Sequence, residues 1–432
     1  MSQSQFSLLA TRRFLPLFLA QFLSAFNDNV FKNALIILIT YRAGETAGID
    51  PRLLVTAAGG IFIFPFFLFS ATAGVLADAY EKTKLIRIVK FIEIPLMLLA
   101  AAAFFLGNYI ILLGLLFLVG TQAAFFGPLK YSILPEQLKE KELIGGNALV
   151  EAGTFLAILL GTILGGILVL RSGGLAGIAA IISVTAVAGW LASLRIPHTT
   201  AGSEKVKTSL NFIKETWVLL LHAMKHKDVF LSIIGISWFW LVGFTFLAQF
   251  PVYARDVLGA NENIVTLFLT IFSVGIAFGS LVCNKLLKGK VSGVYVPLGA
   301  FGMTACIILF WLASEQAIPR IDILIGLGDF MQQPLSYFIL ASLFAIAAFG
   351  GLYIVPLYAI MQTRCDAGFR SRTVAVNNVL NALFMVGGAI LTMLLLKMDV
   401  GINHIFLLIG LVNVPVAFLV RHIVRERKKA NA

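Results

Sequence analysis

Twelve apolar stretches of 21 to 28 residues follow one another along the chain, at roughly 14–41, 53–77, 85–107, 109–134, 144–170, 174–194, 229–254, 263–287, 293–314, 335–361, 374–397 and 403–423. A bilayer-crossing helix needs about 20 such residues. Inside hydrocarbon every backbone N–H and C=O must be paired within the protein, which leaves helices and closed barrels. Barrel strands would show ~10-residue alternation of polar and apolar positions instead of long apolar runs. Only 12% of residues are charged, 59% are hydrophobic and the mean hydropathy is +0.95, against about 25% charged residues in a soluble protein. The expected fold is an all-α membrane protein with twelve transmembrane helices.

The net charge of +12 needs no nucleic acid to explain it. With the N-terminus placed inside, 25 of the 33 lysines and arginines fall in inside segments and six in outside ones, with Lys32 and Lys90 within spans. This bias predicts that both termini are cytoplasmic and that the basic loops face anionic lipid. The first apolar run is too long for a cleaved leader and carries Asp28. Cys283, Cys306 and Cys365 lie in or near separate spans and read as unpaired, small apolar residues. No metal or cofactor is expected, and a monomer is.

The longest loop separates two halves, giving an N-terminal six-helix bundle (1–195), a cytoplasmic linker (196–228) and a C-terminal six-helix bundle (229–432). In the linker Leu210, Ile213, Trp217, Leu220 and Met224 recur at helical spacing opposite Lys214, Lys225 and Lys227, the pattern of a helix lying on the inner leaflet. His222 and His226 are four apart there, a spacing metals use. No acidic third ligand sits in a recognised pattern, so they read as a solvated face. The halves repeat. Pro128-Leu129-Lys130-Tyr131 closes span four and Asn147 opens span five; Pro356-Leu357-Tyr358-Ala359 closes span ten and Asn377-Asn378 opens span eleven. Two six-helix pseudo-repeats about an axis along the membrane normal are the plan of major facilitator transporters.

A spanning helix gains nothing from charge, yet span one holds Phe26-Asn27-Asp28-Asn29-Val30-Phe31-Lys32-Asn33 near its middle. A carboxylate there costs roughly 2.5–3.5 kcal/mol on insertion scales. Asp28 and Lys32 share a helical face and could neutralise each other. Lys90 and Glu93 in span three are three apart and read as a structural pair. Gly59-Gly60, Gly350-Gly351 and Gly387-Gly388 suit bending or close packing, and packing is the simpler reading.

Gly74-Val75-Leu76-Ala77-Asp78 followed by Lys82 and Lys84 looks like the major facilitator loop signature. Its Asp can face a helix N-terminus or a basic partner and hold one conformation closed, so Asp78, Lys82 and Lys84 are the candidate gate. Ala79 and Glu81 depart from the usual Arg and Gly. The second-half equivalent, Gly279 to Lys285, has Asn284 in place of the acid. Ala157-x-x-x-Gly161-Thr162-x-x-Gly165-Gly166 resembles an antiporter signature, and small residues four apart also simply let helices approach.

Three further stretches, Ala20 to Asn29, Phe126 to Glu136 and Asn147 to Ala152, together make the chain similar to the bacterial lysophospholipid transporter (LplT-type) family. The likeness is strongest to versions fused to an acyltransferase and an acyl–carrier-protein ligase, whose enzyme domains are not in this chain. The resemblance implies a transporter of the bacterial inner membrane. It would move lysophosphatidylethanolamine and related lysolipids from the outer to the inner leaflet, where a partner acyltransferase/acyl–carrier-protein ligase reacylates them. Some relatives carry an arginine in span seven; here Phe230 to Ala254 has none, so no second-half cation is expected. For such a substrate Lys130 could contact the phosphate and Asp28 the amine. Glu151 could pair with Lys130 when the site is empty. Gln21, Asn27, Asn29 and Asn33 could hydrogen-bond glycerol or phosphate oxygens, Lys32 stands beside them, and Asn147 opens the span that carries Glu151. A proton-coupled exporter of amphipathic drugs is the alternative. An acyl-transfer enzyme is not expected, because the five histidines lie in loops or near span ends without a base–nucleophile motif.

Overall fold

The computed structural model of the chain describes residues 5–46, 51–199, 212–317 and 324–423. In chain order its α-helices are α1 (Leu15–Thr46), α2 (Pro51–Ala79), α3 (Lys82–Leu106), α4 (Tyr109–Ser132), the single turn α5 (Leu134–Gln137), α6 (Glu140–Val169), α7 (Gly174–Leu194), α8 (Phe212–Lys225), α9 (Lys227–Val252), α10 (Glu262–Leu287), α11 (Val296–Ser314), the short α12 (Leu327–Gln332), α13 (Pro334–Arg364), α14 (Arg370–Lys397) and α15 (Ile402–Val420). Twelve of them are long and apolar enough to cross a membrane, and they match the expected spans one for one. Among the described residues the only strand-like pairing is a lone bridge between Ala260 and Ile325.

Local signals in the sequence start and end these helices. Gly107 takes the left-handed conformation (φ 63°) after α3, and the Asn108 side chain then accepts from the N–H groups of Ile110 and Ile111 to start α4. The linker helix is α8, as its periodicity predicts. Trp217 and Met224 are exposed and Leu219 and Ala223 buried, while Leu210 lies outside the described residues. α8 packs on both α2 and α14, so it touches both halves.

The two bundles meet along two seams, α2 against α14 and α6 against α10. Below, the terminal side is the side on which α1 begins and α15 ends. One continuous apolar core joins both halves there, from Phe14 and Ile144 to Tyr358 and Val374. On the far side a second core, built around Val30, Leu35, Phe104, Leu116 and Ile182, contains first-half residues alone. The halves therefore share one core on the terminal side, whereas beyond the level of Asp28 the first-half core includes no second-half residue.

The glycine pairs divide. Gly351 lets α13 meet the α10 backbone at Ile276 and Ser280, and Gly388 faces Leu241. Gly59, Gly60 and Gly387 have open space beside them. The antiporter-like run serves packing: a side chain at Gly161 or Gly165 would collide with the α1 backbone at Phe26 or Val30.

Candidate functional site

A cavity of 230 Å³ lies between the halves at the level of Asp28. From the first half Gln21 and Asp28 (α1) and Lys130 (α4) reach it, with Phe62 and Phe66 of α2 as an apolar wall. From the second half come Trp240, Tyr358, Asn378 and Asn381. Asp28 is 9% exposed, and its Oδ1 is buried with no hydrogen-bond partner among the described residues. Gln21 Nε2 and Asn378 Nδ2 are in the same condition. All three residues line the cavity, with Gln21 Nε2 packed beside Gly153 and Asn378 Nδ2 beside Gly127. Leaving a buried polar group unpaired costs about 1–3 kcal/mol. Lys130 Nζ lies 4.7 Å from the centre of the Tyr131 ring. Tyr131 stacks on Tyr358 of the other half at 4.4 Å and an interplanar angle of 7°. The repeated Pro128 and Pro356 segments thus meet face to face and form the cavity floor.

Several predicted contacts are placed elsewhere. Asp28 and Lys32 form no ion pair: Asp28 turns to the cavity, and the longer Lys32 side chain lays its ammonium 5.4 Å from the Phe62 ring centre. Asn27 is fully buried and donates to Glu93 Oε1 at 3.2 Å. Glu93 also pairs with Lys90 and accepts from Gln122 at 3.0 Å. The structural reading of Lys90 and Glu93 fits this buried network, which takes Asn27 away from the cavity. Asn29 donates back to Ala25 O at 2.8 Å and packs under Gly161, while Asn33 reaches Asn29 O and Thr162. Glu151 does not pair with Lys130; it accepts from Tyr131 Oη at 2.7 Å. Asn147 exchanges amide hydrogen bonds with Gln362 across the halves at 2.8 and 2.9 Å, so it joins the bundles and does not line the cavity. Of the eight predicted binding residues, Asp28, Lys130 and Gln21 line it. Trp240, Tyr358, Asn378 and Asn381 were not singled out as contacts. The repeat carried a signal for three of them, since Tyr358 falls where Lys130 does and Asn378 and Asn381 follow the second copy of the asparagine. Trp240 carried none.

The loop signature lies below the cavity on the terminal side. Asp78 accepts from the backbone N–H groups of Ser371 (2.9 Å) and Arg372 (3.1 Å) in the first turn of α14. The Arg372 guanidinium lies 3.6 Å away. A first-half carboxylate therefore caps a second-half helix, where the dipole favours negative charge. Ser132 and Ser371 bond beside it at 2.9 Å, and Gly74 lets α2 touch α14 at Ala375. Lys82 pairs with Glu136 at 2.7 Å within the first half. Lys84 is exposed and takes no part. On the terminal face Arg13 forms a two-pronged pair with Glu142 at 2.5 and 2.6 Å, and that hydrogen bonding holds the guanidinium above its ordinary pKa.

Two helical bundles joined at one end around a cavity at the level of Asp28 have the layout of a membrane transporter. The chain belongs to the Major Facilitator Superfamily, whose family model matches residues 17–337. It is similar to proteins named lysophospholipid transporter LplT. Identity is 27% with that of Escherichia coli K12 (92% of this chain, 89% of the relative) and 26% with that of Cronobacter sakazakii (84% and 83%). It is 29% with that of an Enterobacter species (80% and 79%). Among solved structures, the human organic anion transporter TETRAN superposes with a TM-score of 0.74 at 12% identity, covering 95% of this chain and 99% of that one. A bacterial homologue of the iron transporter ferroportin, in an outward-facing state, gives 0.69 at 14% identity, covering 96% and 99%. At those identities the likeness shows the fold alone.

Proposed function

We propose that this protein is a lysophospholipid transporter that carries lysophosphatidylethanolamine and related lysolipids from the outer to the inner leaflet of the bacterial inner membrane by alternating access. The observation that carries this reading is the meeting of Asp28, Lys130 and Gln21 of the first half with Asn378 of the second around one cavity, where the buried Asp28 Oδ1 has no hydrogen-bond partner among the described residues. A lysolipid head group brings a phosphate for Lys130 and the amide donors, and an amine for Asp28. Its buried charges need such partners to cross hydrocarbon. At 230 Å³ the space is below the ~300–1,000 Å³ typical of pockets that engulf a whole small ligand. It suits a head group whose acyl chain leaves past the apolar wall of Phe62 and Phe66. The names of the relatives support the substrate class, and the lysine and arginine bias supports a cytoplasmic terminal side. On that orientation the Asp78 latch closes the cytoplasmic gate and the cavity belongs to an outward-facing state. Delivery to the inner leaflet supplies a lysophospholipid acyltransferase/acyl–carrier-protein ligase, the functional partner.

Uptake of labelled lysophosphatidylethanolamine into proteoliposomes tests this, with amphipathic drug flux measured in parallel. Saturable lysolipid uptake that falls in both Asp28→Asn and Lys130→Gln is the expected result. Drug flux without lysolipid uptake, or unchanged uptake in both variants, overturns it.

A further inference from the structure

His222 and His226 find across space the acidic third partner that the sequence does not place beside them. His222 Nε2 lies 3.2 Å and His226 Nε2 3.4 Å from the same oxygen, Oδ2 of Asp366, and the three ligand atoms fall within 4.8 Å of one another. In a tetrahedral zinc site with bonds of about 2.0–2.1 Å, neighbouring ligand atoms stand about 3.3 Å apart. Two edges of that tetrahedron are already present. The His222 ring is stacked on Phe369, centroids 3.8 Å apart at 19°, which fixes the direction of its Nε2 as outer contacts do for metal ligands. All three side chains reach solvent, so an ion has an entry path.

We propose that His222, His226 and Asp366 bind one borderline divalent transition ion, Zn²⁺ in the first instance, with water in the fourth position. Imidazole and carboxylate ligands suit zinc better than the hard ions Mg²⁺ or Ca²⁺, which take oxygen sets. Lys225 and Lys227 flank the pair and oppose a cation, so binding rests on coordination rather than on a negative field. The location gives the ion a consequence. His222 is on α8, and His226 is the non-helical residue (φ −102°, ψ 90°) at which α8 breaks into α9. Asp366 lies in the turn that leads into α14, whose first residues hold Asp78. An ion here pins the helix linking the halves to the turn that carries the latch. A second tie, between Asp228 of α9 and Arg364 of α13, runs alongside it.

The test uses the full chain, purified in detergent with any affinity tag removed, without lysolipid, so that its outcome is independent of the substrate reading. Zinc titration by calorimetry and bound metal per chain by mass spectrometry are expected to give one site. Co²⁺ in its place is expected to show the intense visible absorption of a tetrahedral centre. His222→Gln/His226→Gln is expected to weaken binding by about 100-fold or more, above the range of outer-contact changes. Asp366→Asn is expected to weaken it at least about tenfold. Asp366→His, which keeps a ligand at the third position, retains binding and shows that the loop still folds. Substoichiometric zinc, equal affinity in the double-glutamine variant, or Asp366→Asn binding as tightly as the parent overturns the three-ligand site.

Discussion

The two halves share a layout and differ in chemistry. The first half buries Asp28, Lys90, Glu93 and Glu151 at membrane depth and aims Lys130 at the cavity. At the matching depth the second half buries neutral groups, Ser237, Asn377, Asn378, Asn381 and Asn413. Most are used in packing: Ser237 donates to Asn381, and Asn413 accepts from Trp238 and donates to Thr304. At the gate the first half provides the carboxylate of Asp78, and the second provides backbone N–H groups and the Arg372 guanidinium. Charges at this depth cost several kcal/mol in total, and a repeat fold has no structural need to concentrate them on one side. On the proposed function, this division gives head-group recognition to the first bundle. The second becomes a neutral, aromatic counter-surface able to close over a charged guest without adding a competing charge.

Removing the first half's charges should break this contrast most severely. Asp28→Asn keeps the size and one acceptor oxygen but leaves the substrate amine without a counter-charge. A loss of about 3 kcal/mol, or roughly 100-fold in kcat/KM for lysophosphatidylethanolamine, is expected. Lysolipids without an amine should lose far less, and uptake assays across head groups check this. Lys130→Gln should cost about 2 kcal/mol, roughly 30-fold, for every phosphate-bearing lysolipid alike. The ammonium already rests on the Tyr131 ring, so a folded protein is expected by size-exclusion chromatography in both cases. By contrast Asn381→Ala, on the neutral side, should change uptake by only a few-fold, because its oxygen is already occupied by Ser237.

The span count was legible, and Asp28 could be singled out for the place it takes on the cavity, because hydrocarbon imposes rules that act locally. Length and apolarity set the helices, and an uncompensated carboxylate among them marks a wet interior. What sequence could not give was side-chain direction around the helix. Asn27, Asp28 and Asn29 are consecutive, so 100° steps send them to Glu93, the cavity and α6 respectively. The i,i+4 rule put Lys32 beside Asp28, but Asp28 faces the cavity and a ring on α2 captured the lysine. Asn147–Gln362 and Asp366 with the two histidines are contacts across more than 130 residues, for which a single sequence holds no local pattern. Asp78 was legible in the other direction: its motif names the acid, and the fold supplies the N-terminus that the physics of helix dipoles requires.

At the gate the comparison turns on the two seams. Asp78→Asn removes the charge that faces the α14 N-terminus while keeping one acceptor. A cost of about 1 kcal/mol, roughly a five-fold shift away from the state closed on the terminal side, is expected. Spin-label distances between the terminal ends of α2 and α14 measure it. At the pseudo-symmetric seam the position matching the acid is neutral: Asn284 of α10 lies beside Gly145 in the first turns of α6. Around it Arg13, Lys139, Lys141, Lys285 and Lys288 line a cavity of 890 Å³. Asn284→Asp would build there the latch that the second half lacks, so the shift should be opposite in sign to that of Asp78→Asn. It should also be smaller, about 0.5 kcal/mol or two-fold, because Glu142 already accepts from the α6 N-cap and is paired with Arg13. The double variant Asp78→Asn/Asn284→Asp moves the acid from one half to the other. If closure depends on which half carries the charge, the pair will not restore the parent distances. If it depends only on the presence of one capped helix end per gate, most of the closed population returns.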